Sequence, residues 1–353
     1  NFNFTFPESV HTAWKKMLHF SIGLMDPSRC IPMFGDSQID HVPSHCKSVA
    51  LHYAEPEFLW AVTDGKEGHV PSYTSIGFPC IGYYALRSSW GTDAHWLCFD
   101  GGRMGQAHYH EDKLNFELYA FGRPFIIDSG VHSYSEHWFR EWSVLSAAHN
   151  VILVDGIGQC RWRDDRNNGY SAVPLKNRWE TDETWDIVEA DFSGPYEQDI
   201  GSIVQHRRIT FHKGELPFWL ITDTIEGNGE HDVTELFHFD HDITDLEEIP
   251  GGVKTMMTSG ANLLLVCFDD LTVTRFHGEM DPPRGWVSPE LYCIEKAWEV
   301  HFSAKGSLPL IRHFLLLPWQ GMIPEELVTE FDTVKSCLTI RCEKQTWTIL
   351  IPE

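Results

Sequence analysis

From about residue 82 to the C-terminus the chain is a succession of short apolar runs, and this constrains its fold more than any other feature. Residues 82–88, 94–99, 114–120, 124–128 and 151–155 read as strands. So do 203–211, 219–225, 233–239, 263–268, 271–276, 300–303, 310–317, 338–342 and 346–351. Within 114–120, Leu114, Phe116, Leu118 and Ala120 alternate with Asn115, Glu117 and Tyr119, the pattern of a strand with one face in a core. Gly, Pro and Asp separate the runs, and helical stretches almost vanish. The expected architecture is mainly β, a large antiparallel β-sandwich.

The first 80 residues obey a different period. Thr5-Phe6-Pro7-Glu8 fits a capping box with proline in the first turn, and Val10, Trp14, Met17, Leu18 and Leu24 follow at helical spacing. Asp26-Pro27 is expected to stop that helix. A second short helix, with Val49, Ala50, Tyr53 and Ala54 on its face, should end before Pro56, and residues 63–75 read as a polar linker. The opening residues show no signal-peptide pattern and no initiator Met, and read as the interior or trimmed start of a longer protein.

A formal net charge of −24 argues against nucleic acid or an anionic membrane surface as partner, and an acidic polymer would need a locally basic cleft. No apolar run reaches the roughly 18 residues that a membrane helix needs. Nine scattered cysteines, with no C-x-x-C pair, read as mostly free thiols; this suits a reducing compartment and leaves a bacterial periplasm open. Self-association is also left open.

Chemistry concentrates around Gly102-Arg103-Met104-Gly105-Gln106-Ala107-His108-Tyr109-His110-Glu111-Asp112. On an extended segment His108, His110 and Asp112 share a face, and an H-x-H pair offers two imidazoles to one site. Asp128 directly follows one apolar strand and His149 directly precedes another. Together His110, Asp128 and His149 supply two neutral nitrogens and a carboxylate, a set suited to Zn²⁺, with Ca²⁺ or Mn²⁺ ranked behind it. The bland alternatives are a turn aspartate before Ser129-Gly130 and a hydrogen-bonded core histidine.

The ordered set Ala107-His108-Tyr109-His110-Glu111-Asp112-Lys113-Leu114-Asn115-Phe116-Glu117, Gly122-Arg123-Pro124-Phe125-Ile126-Ile127-Asp128-Ser129-Gly130, Phe139-Arg140 and Ala148-His149-Asn150 resembles the heparinase II/III-like polysaccharide lyases. Ile31-Pro32-Met33-Phe34-Gly35-Asp36-Ser37 is similar to the segment that closes their helical toroid. The resemblance implies that residues 1–80 are the last helices of an (α/α) toroid with a linker, and 81–353 the sandwich. It implies His110, Asp128 and His149 as ligands of one site-organising zinc, and His108 as a histidine facing substrate. Tyr134 lies where some members place a second active-site tyrosine, or is a core residue. Arg103 and Arg140 are candidates for a uronate carboxylate or sulfate, or for structural ion pairs. Periplasmic or secreted residence would follow from the family, without excluding the cytoplasm.

The implied reaction is β-elimination at a uronic acid of a glycosaminoglycan or alginate. Groups that stabilise the developing enolate are each worth roughly 3–4 kcal/mol, by analogy with oxyanion donors. Family members carry an Asn or His and a catalytic Tyr on the toroid; Tyr53 and Tyr73 sit in no matching motif, so that part is expected to precede Asn1. Two rivals remain at this stage. A cupin-type metal oxidoreductase or isomerase matches Gly102 and His108-Tyr109-His110 but lacks the following Glu, since Leu114 and Asn115 stand there. A non-catalytic carbohydrate-binding sandwich would explain the aromatics but not the clustered His and Asp.

Overall fold

The computed structural model describes residues 6–103, 108, 110–160, 175–343 and 345–352. Three helices come first: α1 (Glu8–Leu24), α2 (Val42–Tyr53) and α3 (Pro56–Val62). Thr5, on which the capping box depended, lies outside the described residues, and Pro7 occupies the N-cap of α1 with no side-chain cap bond. Leu18, Ile22 and Leu24 are buried, whereas Met17 points to solvent. Pro56 begins a helix rather than only ending one, because a first-turn proline forgoes an N–H that would be unpaired anyway. That helix was not anticipated from sequence.

Apart from a two-residue pair, Cys30–Ile31 with Asp40–His41, strands follow from Ile76 onward, and neighbours within each main sheet pair antiparallel. The sandwich is therefore as expected. One layer is a five-stranded sheet, Ile76–Phe78, Tyr83–Arg87, Trp96–Asp100, Phe116–Ala120 and Arg123–Ile126. It continues into a four-stranded sheet ordered Thr272–His277, Trp298–Ser307, Glu230–His238 and Ile152–Val154, through a bridge between Ile126 and Phe239. The other layer has eight strands, with Phe218–Glu226 paired between Val204–His212 and Leu310–Gln320 near its middle.

Alternation decides what each layer meets. Trp219, Ile221, Phe314 and Leu316 point into the main core, where Leu97, Phe116 and Phe125 of the facing sheet also lie. Their sequence neighbours Phe218, Leu220, Leu315 and Leu317 point outward, under a C-terminal three-stranded sheet that brings Leu338 and Ile340.

The Phe116–Ala120 strand departs from the one-sided burial its alternation suggests, since all five residues are buried. Its second face, with Trp96, Cys98 and Tyr119, packs on Leu24 and Phe34 of the N-terminal region. Arg87 locks this arrangement: its buried guanidinium donates to the carbonyls of Gly23 and Met25 at the end of α1, both at 2.9 Å. Gly23 permits this close approach, because a Cβ would stand 2.8 Å from the Phe78 ring and push it aside.

Helices were expected only before about residue 80, and this is corrected by α4 (Trp138–Ser143) and a 3₁₀ turn, Ser146–Ala148. All nine cysteines are free. Among the described residues no helix is long and apolar enough to cross a membrane.

Candidate functional site

The end of the Arg123–Ile126 strand delivers Asp128 into the interior. Its Oδ1 accepts the Gly130 N–H at 2.9 Å, and its Oδ2 accepts Asn115 Nδ2–H at 2.6 Å. Gly130 has φ +71°, and a Cβ there would come within 2.5 Å of the Ser288 carbonyl oxygen, so the turn admits only glycine. His149 follows the 3₁₀ turn, and its Nδ1 lies 2.8 Å from Asp128 Oδ2.

The backbone under these residues is pinned by Asn150, which is fully buried. Its amide donates to Asn115 Oδ1, Phe116 O and Ile127 O, and accepts from His238 N–H. Arg207, planted in the eight-stranded sheet, reaches across the core. It donates to Leu114 O and Asn150 O while paired with Asp223.

His110 completes a buried trio. His110, Asp128 and His149 each present a potential ligand atom, all within 4.8 Å of one another. His110 Nδ1 and His149 Nε2 are buried without a partner. Unpaired buried nitrogens beside a carboxylate are costly unless something else engages them, and this set fits a divalent metal ion. Burial disfavours the ionised forms, yet the mutual attraction of Asp128 and His149 outweighs it. It holds the Asp128 carboxyl below its usual range and raises His149 above its own. Burial, with Asp128 nearby, pushes Glu117 well upward.

Neither His108 nor His110 lies in a strand, which corrects the expectation of one shared strand face. His108 has φ +58°, and its side chain is 67% exposed, while His110 is enclosed. What unites them is Asp36. His108 Nδ1 lies 3.0 Å from Asp36 Oδ2, and His110 Nε2 lies 2.9 Å from Asp36 Oδ1. Arg140, on α4, pairs with both carboxylate oxygens of Asp36. Burial opposes ionisation of Asp36, but His110 and Arg140 together hold its carboxyl well below the usual range.

Tyr134 is exposed, so the core alternative is excluded. Its ring meets His108 edge-on at 5.7 Å, and the Arg140 guanidinium lies 5.6 Å from it. The structure thus gathers His108, Tyr134 and Arg140 at the surface above His110, Asp128 and His149. Arg103 is exposed and, among the described residues, joins none of these contacts. Met104, Gly105, Gln106, Ala107 and Tyr109 of the motif lie outside the described residues. Sequence reasoning missed Asp36. The segment 31–37 had been singled out, but a Gly-Asp pair in a loop signals only a turn.

The model of the family described as heparinase II/III-like, C-terminal, matches residues 71–295. The chain belongs to that family. It is 24% identical over 309 residues to a heparin-sulfate lyase of Bacteroides stercoris, covering 85% of this chain and 43% of that protein. With a heparin-sulfate lyase of Pedobacter heparinus it shares 26% over 195 residues, 52% of this chain and 28% of that one. The crystal structure of a heparan sulfate lyase mutant from Pedobacter heparinus superposes with a TM-score of 0.81 at 21% identity, over 98% of this chain and 54% of that one. This likeness shows a shared heparinase-type fold. The chain spans less than half the length of these curated relatives. Membership in the heparinase II/III-like family favours the lyase reading over the cupin and the non-catalytic module. Every candidate residue lies within the matched span except Asp36, which lies outside it.

Proposed function

We propose that this chain supplies the sandwich part of a lyase that breaks a uronate-containing glycosaminoglycan by β-elimination, with residues 1–80 ending a helical toroid. The observation that carries the reading is the grouping of exposed His108 and Tyr134 and half-buried Arg140 beside buried His110, Asp128 and His149, in a heparinase II/III-like chain. The curated relatives are heparin-sulfate lyases, which favours a sulfated glycosaminoglycan over alginate.

His110, Asp128 and His149 would hold one zinc ion. When bound, the ion supplies a fixed positive charge that orders the site. In the reaction a base takes the proton from uronate C5, the electron pair forms the C4–C5 double bond, and the C4–O bond breaks with a proton passing to the leaving oxygen. We assign that base to a residue beyond this chain. His108 faces the substrate and exchanges protons with the reacting sugar; Arg140 meets the uronate carboxylate beside Tyr134.

The test is ultraviolet absorbance of the unsaturated uronate over a panel of heparan sulfate, heparin, chondroitin sulfate and alginate, using the protein that carries this chain. Product from heparan sulfate or heparin is expected. Failure to form it from any of the four polymers, in protein shown to be folded, overturns the reading.

A further inference from the structure

We propose that Asp36 is the positioning residue that sets the tautomers of His108 and His110, fixing which ring nitrogen one turns to the cleft and the other to the interior. The part that concerns a metal rests on the reading above; the part that concerns the tautomers does not.

The Asp36 side chain is 2% exposed and receives three partners. Paired through both oxygens with Arg140, it is a carboxylate and can only accept hydrogen bonds. The nitrogens facing it must therefore carry hydrogen: Nδ1 in His108 and Nε2 in His110. One carboxylate thus imposes opposite tautomers on two histidines two residues apart. His108 keeps its lone pair on Nε2, and His110 keeps its lone pair on Nδ1, the buried nitrogen without a partner. A competing arrangement would have His110 Nε2 accept from Arg140 Nη1 at 3.3 Å. That would aim a lone pair at a carboxylate oxygen only 2.9 Å away, and the repulsion decides against it.

Asp36 also fixes the backbone. Its N–H donates to the His108 carbonyl at 3.0 Å, and that residue has a left-handed φ rare for a side-chain-bearing residue. Its neighbours are clamped in the same way, with Gly35 N–H donating to Asp112 and Met33 N–H to Glu117. The site is consequently shared between the sandwich and a loop of the helical region, 72 residues before His108.

Two measurements test this. Long-range nitrogen–proton NMR spectra of metal-free protein labelled at histidine, recorded where the imidazoles are neutral, should show Nδ1–H for His108 and Nε2–H for His110. In Asp36→Asn, whose amide can donate, His110 should lose its single tautomer, and zinc affinity should fall about 10–100-fold, the scale of outer-shell changes. Wild-type zinc affinity in the folded variant, or an Nδ1–H tautomer of His110 in the wild type, overturns the proposal. If the wild type takes up no zinc, the metal reading falls instead, and the two tautomers still decide the role of Asp36. They also decide it if the variant does not fold.

Discussion

The five-stranded and eight-stranded sheets carry similar alternating patterns and use them differently. In the Phe116–Ala120 strand both faces are covered, so Glu117 and its neighbour Asn115 are shut from water. In the Trp185–Phe192 and Val204–His212 strands the corresponding polar positions, Glu189, Asp191 and His206, face an open groove of about 350 Å³ that Thr222 and Thr224 also line. A polar residue enclosed in this way must find partners or cost stability, whereas one on the open face is satisfied by water. The cover laid down by the N-terminal region is thus what makes one set of polar residues a site and leaves the other a surface.

The largest effect expected from this contrast is at Asn150. Replacing it with Ala strands Phe116 O, Ile127 O and the His238 N–H, and should cost at least about 3 kcal/mol, since each buried orphan costs ~1–3 kcal/mol. Chemical denaturation measures it; a loss under about 1 kcal/mol would break the comparison. Next comes the metal. Zinc at about a hundred times its Kd should stabilise the fold by about 2.7 kcal/mol, and His110→Ala should abolish that gain; calorimetry with and without chelator checks both.

Replacing His108 with Ala, at the exposed end of the same site, should leave bound zinc nearly unchanged but lower lyase turnover by about 10²-fold. Turnover equal to wild type removes its catalytic role. The smallest effect belongs to the open face. Burial lowers the proton affinity of His206, but hydrogen bonds and charge from Asp191 and Glu226 raise it overall. Its small stabilisation should be fully present below the ordinary value of 6.5 and fade as pH rises through the raised native value. His206→Ala should therefore change stability by no more than about 0.5 kcal/mol, because the pair is solvent-screened. A change above about 1 kcal/mol would show that the groove is not open in the way described.

The strands were legible because apolar residues at period two announce a core face: 219–225 was read where Phe218–Glu226 stands. Arg178–Thr181 and Trp185–Phe192 escaped because their open-face residues are charged and dilute the pattern. His110, Asp128 and His149 were legible for a related reason, since two of them border apolar strands and the third lies in an H-x-H motif. The arrangement around His108 was not, because it depends on a left-handed residue and on a partner brought in from far along the chain. Tyr134 and Arg140 came from resemblance, and only the structure shows that they meet.

Arg207 has a consequence for motion. Its guanidinium is rooted in one sheet by Asp223 and grips the carbonyls of Leu114 and Asn150 on the other side of the core, so the two layers cannot slide without tearing a buried ion pair from its acceptors. The floor of the site therefore moves as one rigid body with the sandwich. Breathing that admits a polymer chain has to come from the rim, where His108 and Asp36 meet through a side-chain pair and one backbone hydrogen bond rather than a shared sheet. Backbone amides under the trio should be among the last in the molecule to exchange with deuterium.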